Sequence, residues 1–376
     1  MKLFFDASPI VGGFEGIPIF ANRVLYYLAQ HSELELHSGF ISINVDTHRR
    51  YFAELNKLTN NNIKYHRFFI PGRYGGKIPG VSFNSKHYDL MHYSTHTVPE
   101  CCFPSDFNKV ILTIHDMFLW HSEFSLGDTS FTQKMKSQLP VQAEQAKAIF
   151  TVSEFSKKEI NKFIGIPIEK IHAVPIATQW SDNAFWPSNI LEKNALTTKS
   201  YFLAVSTLLP HKNYITLFTA FKKYQQSQDY AGEKLVVVGK RKEQFVDICD
   251  ALDSTPNVVH LQNILEHDLH ILYKNSKGFF LVSKLEGFGI PLLEAMSCNV
   301  PACYGKGSAM DEIGRDVAYG VNPENVDEIA KIFSVFSAGG SDVQKRTEQA
   351  FVISQEYSYS KTVKKYIEIY KKLLGK

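Results

Sequence analysis

Short apolar runs alternate with helix-patterned stretches along the whole chain, and few architectures accommodate that alternation. In the first half the runs are Lys2–Asp6, Leu36–Ile43, Leu90–Tyr93, Val110–Ile114, Ala148–Val152 and Ile171–Val174. In the second half they are Tyr201–Val205, Lys234–Val238, Val258–Leu261, Phe279–Val282 and Val300–Cys303. Helical patterns such as Ile17–Gln30 and Ser153–Phe163 fall between them. Runs of this length with helices between them predict βαβ units and parallel sheets. The 376 residues suit two domains at about 150 residues each. The pattern lapses over 179–200, around Trp180 and Pro187, which reads as a linker. The expected organisation is a first domain over 1–178, the linker, and a second domain over 201–357. A Lys- and Tyr-rich amphipathic helix within 358–376 is expected to pack back on the first domain. The fold class is α/β, with two doubly wound domains facing across a cleft at the carboxyl ends of their strands.

Composition excludes several functions. Charged residues are 21% and hydrophobic residues 44%, an ordinary globular balance that rules out disorder and coiled coil. The net charge of +3 is too mild to argue for nucleic acid. Five cysteines without a C-x-x-C pair argue against a disulfide framework or zinc site and favour a reducing cytoplasm. The first apolar run spans about four residues before Asp6, too short for a secretory leader. No apolar stretch is long enough to span a membrane. One segment, Lys64 to Tyr88, holds five Lys or Arg and no acid, interleaved with Tyr65, Phe68, Phe69, Tyr74 and Phe83. It suits peripheral contact with an anionic membrane or a lipid-linked acceptor, and equally a solvated loop with a few core aromatics.

The stretch richest in chemistry runs from Phe279 to Met296. A buried strand leads into Ser283-Lys284-Leu285-Glu286-Gly287-Phe288-Gly289-Ile290-Pro291, and a helix containing Glu294 follows. Gly287 and Gly289 allow close backbone approach, and Pro291 suits a first helical turn. Free amides at a helix start bind anions or hydroxyls. Glu286 and Glu294, eight residues apart, can serve two parts of one ligand. On spacing alone, a plain strand–turn–helix with solvated acids explains the stretch as well.

Residues Ser283 to Pro301 resemble the E-x7-E signature of family-4 retaining glycosyltransferases with the GT-B fold. The resemblance implies Glu286 beside the donor sugar and Glu294 on the ribose of a sugar nucleotide. It also implies backbone amides at Gly287, Phe288 and Gly289 holding the sugar. Tyr201 to Asn213 resembles the strand and loop that open the second domain, with Thr207 and Lys212 at the diphosphate. Many relatives carry Arg where Thr207 stands, and Lys240 or Arg241 are the candidates to replace it. Gly12-Gly13-Phe14-Glu15-Gly16 resembles the family's glycine-rich loop, which places Gly13 and Gly16 against the donor. His115 is implied at the transferred sugar. Asp116 and His96 are implied on the acceptor side, and Ser308 at the donor. A helix N-cap suffices to explain Ser153.

Asp-x-Asp, the divalent-metal motif of other glycosyltransferases, is absent, and the resemblance implies a metal-independent retaining hexosyltransferase with no cofactor. Its partners would be a nucleotide-sugar donor and a glycan or glycolipid acceptor in surface polysaccharide assembly, with no nucleic acid. GDP-mannose is the first donor, from similarity to bacterial O-antigen mannosyltransferases, and a UDP-hexose the next. The expected location is the cytoplasm or the inner face of its membrane. Three rivals stay open: an NAD-dependent dehydrogenase, a phosphorylase or epimerase, and a non-catalytic sugar-nucleotide or polysaccharide binder. The dehydrogenase reading lacks the G-x-G-x-x-G order after its first strand.

Overall fold

Every described strand pair is parallel in the computed structural model, which describes residues 1–7, 16–41, 57, 59, 62–68, 85–98, 104–124, 129–178 and 188–376. The chain divides into two units. One comprises Met1–Ile176 with Ser358–Lys376, and the other Ala177–Tyr357.

The first unit carries β1 (Lys2–Asp6), α1 (Gly16–Leu28), β2 (Glu35–Ile41), β3 (Ile63–Phe68), β4 (Leu90–Tyr93) and β5 (Val110–Thr113). Then follow α2 (Ser130–Gln145), β6 (Ala148–Thr151), α3 (Glu154–Ile164) and β7 (Ile171–Ala173). Its sheet runs β3-β2-β1-β4-β5-β6-β7. Strands β1, β4, β5 and β6 are almost wholly buried, so they read as continuous apolar runs rather than alternating ones. The Lys64–Tyr88 stretch is not a single loop. Its first residues form edge strand β3, paired with β2 from Leu36↔Ile63 to Ile41↔Phe68, because a β-rich run beside an open edge completes the ladder. Residues 69–84 lie outside the described residues, and the stretch ends in a 3-10 turn over Ser85–His87.

The second unit carries α4 (Ile190–Lys193), β8 (Tyr201–Val205), α5 (Tyr214–Gln225), β9 (Lys234–Val238), α6 (Val246–Asp253), β10 (Val258–Leu261) and α7 (Glu266–Asn275). It continues through β11 (Gly278–Leu281), α8 (Ile290–Ser297), β12 (Ala302–Gly305), α9 (Met310–Gly314), β13 (Tyr319–Val321), α10 (Val326–Ala338) and α11 (Ser341–Ser354). The sheet order is β10-β9-β8-β11-β12-β13. Its core stacks Phe280 on Phe333 at 3.9 Å, with Phe202 edge-on to both. The expected linker is shorter than 179–200. The second unit begins at Ala177, and by Ser188 the chain is packed into it: Ile190 and Leu196 are buried, and the Ser188 hydroxyl bonds to Asp268. Apolar anchors spaced too irregularly to show a period explain why the sequence pattern missed this.

The last helix, α12 (Tyr359–Leu373), returns to the first unit. Tyr366 and Tyr370 lie on Phe150, and Tyr370 is hydrogen-bonded through its hydroxyl to His92 Nδ1 at 2.5 Å. Thr362 donates to the Pro175 carbonyl and Lys365 to that of Ala173. His92 is fully buried, and burial holds its imidazole neutral, with its pKa pushed down to about 3.

Candidate functional site

In the second sheet the strand order reverses between β8 and β11, which pair at Phe202↔Gly278 and Leu203↔Phe279. Loops leaving the carboxyl ends of two such strands diverge and leave room for a ligand. The β8 loop is fixed before it reaches Lys212. Ser206 donates its amide to Val238 and Leu208 its amide to Lys240. The Tyr214 hydroxyl donates to the Ser206 carbonyl. A side chain at Gly239 would place its Cβ 1.9 Å from that same carbonyl oxygen, so only glycine permits this approach. A 3-10 turn over Pro210–Lys212 follows, and Asn213 takes a left-handed φ of 63°. The Asn213 side chain donates to the carbonyls of Val282 and Pro323, stitching the β8 loop to the end of β11.

That stitch brings Lys212 to Glu286. The ammonium lies 2.7 Å from Glu286 Oε1, and the two side chains are only 16% and 11% exposed. The same oxygen accepts a hydrogen bond from the buried Ser283 hydroxyl at 2.8 Å. Gly289 caps α8 with a φ of 105°, and Pro291 stands in the first turn. One turn further, Glu294 is buried and accepts from the Tyr273 hydroxyl at 2.9 Å. Burial pushes its carboxyl up to about 8, the Tyr273 hydrogen bond opposes that rise, and the charge of Glu266 adds to it. The two glutamates therefore differ in kind: one is paired with an ammonium, the other sits beside a phenol. Phe288 is buried with its ring edge-on to Tyr357. Ser308 is buried in the β12–α9 loop, and the amide of the next residue, Ala309, donates to the Glu286 carbonyl. The Ser308 hydroxyl has no hydrogen-bond partner among the described residues. Thr207 is half-buried in the β8 loop. Of the two candidates for the missing arginine, Arg241 is committed to Asp253 at 2.7 Å and Glu243 at 3.0 Å. Lys240 is the one whose carbonyl meets Leu208.

In the first sheet the order reverses between β1 and β4. Gly16 opens α1, while Gly13 lies outside the described residues. His115 leaves the end of β5, is buried, and packs edge-on against Phe20 of α1 at 4.9 Å. Its Nε2 donates to the Ser94 carbonyl at 3.0 Å. Burial lowers its pKa to about 4, helped by His96, so the ring is neutral and Nδ1 is the acceptor nitrogen. His96 lies 5.6 Å from it and is hydrogen-bonded to the Asp116 backbone. Asp116 Oδ1 accepts from the Phe118 amide and shapes the turn. Ser153 is an N-cap, accepting from the Ser156 amide at 3.0 Å.

Three residues had no assigned role on sequence grounds. Ser283-x-x-Glu286 has the spacing of a capping box, a local signal that here joins two side chains. Asn213 is the residue type that tolerates a left-handed bend. Tyr273 arrives from a helix remote in sequence, and no pattern announces its contact with Glu294.

Two sheets of this order, with loops from the switch points carrying these groups, define the GT-B class. The chain aligns with the crystal structure of Anabaena Alr3699/HepE in complex with UDP and glucose at a TM-score of 0.71 and 18% identity, covering 98% of this chain and 99% of that one. Residues 188–351 match the family described as glycosyl transferases group 1, and this domain of the chain belongs to it. The chain is a glycosyltransferase. It is 25% identical over 292 residues to the O-antigen chain mannosyltransferase B of Escherichia coli, covering 76% of each chain. It is 28% identical over 250 residues to the O-antigen chain mannosyltransferase RfbU of Salmonella typhimurium, covering 65% of this chain and 63% of that one. Among the described residues no helix is long and apolar enough to cross a membrane.

Proposed function

We propose that the chain is a retaining hexosyltransferase that passes mannose from GDP-mannose to a glycan or lipid-linked acceptor of a surface polysaccharide, without a metal. The observation that carries this reading is Lys212 against Glu286 at the switch point, with Glu294 one helix turn beyond the glycine cap. An ammonium held at Glu286, in the same loop that leads into the amides opening α8, suits a departing diphosphate, whose charge grows as the glycosidic bond breaks. Glu286 suits the hydroxyls of the hexose and Glu294 those of the ribose. His115, neutral with Nδ1 as acceptor, is suited to accept a hydrogen bond from a hydroxyl rather than to donate a proton. The names of the two mannosyltransferases support the choice of sugar and pathway, and the resemblance to family 4 supports retention.

The test is a thermal-shift series with GDP, UDP, ADP, TDP and CMP, using Lys212→Ala and Glu294→Ala as controls. A ligand at about 100 times its Kd stabilises by roughly 2.7 kcal/mol. A shift with GDP that both variants lose is the expected result. A shift with UDP alone replaces the donor, and silence with every nucleotide overturns the reading. Transfer that stops in EDTA removes the metal-independent part.

A further inference from the structure

Glu286 Oε1 accepts from two donors of different kinds, the Lys212 ammonium at 2.7 Å and the Ser283 hydroxyl at 2.8 Å. This deepens the reading above and rests on it. If Lys212 serves the donor diphosphate and Glu286 the hexose, their contact means that each neutralises the other until a nucleotide binds. We propose that the pair is an exchange device in which Glu286 stands in for the diphosphate. Ser283 is the positioning residue that keeps the carboxylate in place once Lys212 leaves.

The ammonium and carboxylate are both sheltered, and an unpaired charge at such a place is costly. Paired with each other, neither charge bears that cost. An incoming diphosphate presents more negative charge than one carboxylate and draws the ammonium away. Glu286 then loses its strongest partner at the moment the hexose arrives, and the sugar hydroxyls supply replacement donors. Lys212 stands on the β8 loop, held by the Asn213 side chain, while Ser283 stands on the end of β11 and is fully buried. Displacement of the lysine therefore leaves the Ser283 anchor intact. One consequence separates this device from simple preorganisation. Glu286 competes with the diphosphate for Lys212, so the bare nucleotide pays for displacing it and the sugar nucleotide recovers that cost through the hexose.

The experiment is calorimetric titration of the full chain with GDP and with GDP-mannose, and with the uridine pair in parallel. Wild type, Glu286→Gln, Ser283→Ala and Ser283→Thr are compared. In Glu286→Gln the bare nucleoside diphosphate is expected to bind about five- to tenfold tighter, the difference between a charge-assisted and a neutral contact to Lys212, while the gain from adding the hexose shrinks. In Ser283→Ala the bare nucleotide is expected not to tighten and the hexose gain to fall, and Ser283→Thr restores it. Weaker nucleotide binding by Glu286→Gln overturns the exchange, because Glu286 then only holds Lys212 in place. An unchanged hexose gain in Ser283→Ala overturns the role of Ser283. If wild type binds no nucleotide, the transferase reading itself fails, which is a separate outcome. Glu286→Ala repeats the competition test should the glutamine variant not fold.

Discussion

Replacing Glu294 by Gln should make the protein more stable at alkaline pH and leave it nearly unchanged at acid pH. The carboxyl is buried beside Tyr273, and its pKa is raised from 4.5 to about 8, chiefly by loss of hydration. The folded chain therefore holds a proton that the unfolded chain has released anywhere between those values. Stability from this group is complete below about pH 4.5 and is lost as pH rises to about 8. At about 1.4 kcal/mol per pH unit the whole shift is worth ~5 kcal/mol, an upper figure for a group that can rearrange to reach water. Gln keeps an acceptor for the Tyr273 hydroxyl and has no proton to lose. Urea unfolding of wild type and Glu294→Gln at pH 5, 6, 7 and 8, followed by a probe in the second unit, reads the difference directly. The curves should start together at pH 5 and separate by a few kcal/mol in favour of the variant by pH 8. Parallel curves would refute the argument, and so would a gap that opens in favour of wild type.

Two further outcomes follow from backbone and packing. Gly289→Ala places a side chain at φ 105° with its Cβ 2.8 Å from Met310 Cγ, so it should cost about 1–3 kcal/mol and weaken nucleotide binding, read by melting and titration. Tyr370→Phe strips the hydroxyl from His92 Nδ1 and should cost about 1–3 kcal/mol, seen as a lower Tm for the first unit with nucleotide affinity unchanged.

Much of the fold was legible because buried parallel strands are apolar throughout. Strands β1, β4, β8, β9 and β10 begin and end where the apolar runs do. Strands β11 and β12 each differ from the reading by one or two residues at their ends, where a glycine neighbour makes the limit indistinct. β3 was hidden by its own chemistry: Lys64, His66 and Arg67 on an edge strand look like a charged loop. The loop carrying Glu286 and Glu294 was legible because glycine, proline and acid stand in fixed order there. The partners that set its electrostatics were less so. Lys212 meets Glu286 across 74 residues and Tyr273 meets Glu294 across a helix, contacts made by the pairing of β8 with β11 rather than by any local pattern. His115 was readable by position, but its neutral state was not, since that follows from burial against Phe20 and the Ser94 carbonyl.

The return of α12 to the first sheet has a consequence for the order in which the protein can be made. Synthesis delivers β1 to β7 first, yet the slot beside Phe150 and His92 stays unfilled until Tyr366 and Tyr370 emerge. Residues 177–357 form an uninterrupted unit and are all available before that happens. The half that starts first on the ribosome is thus the half that finishes last, a reversal of the usual amino-terminal lead in co-translational folding. A chain stalled or cut after residue 357 would carry a finished second unit and a first unit with an aromatic wound open to chaperones and proteases.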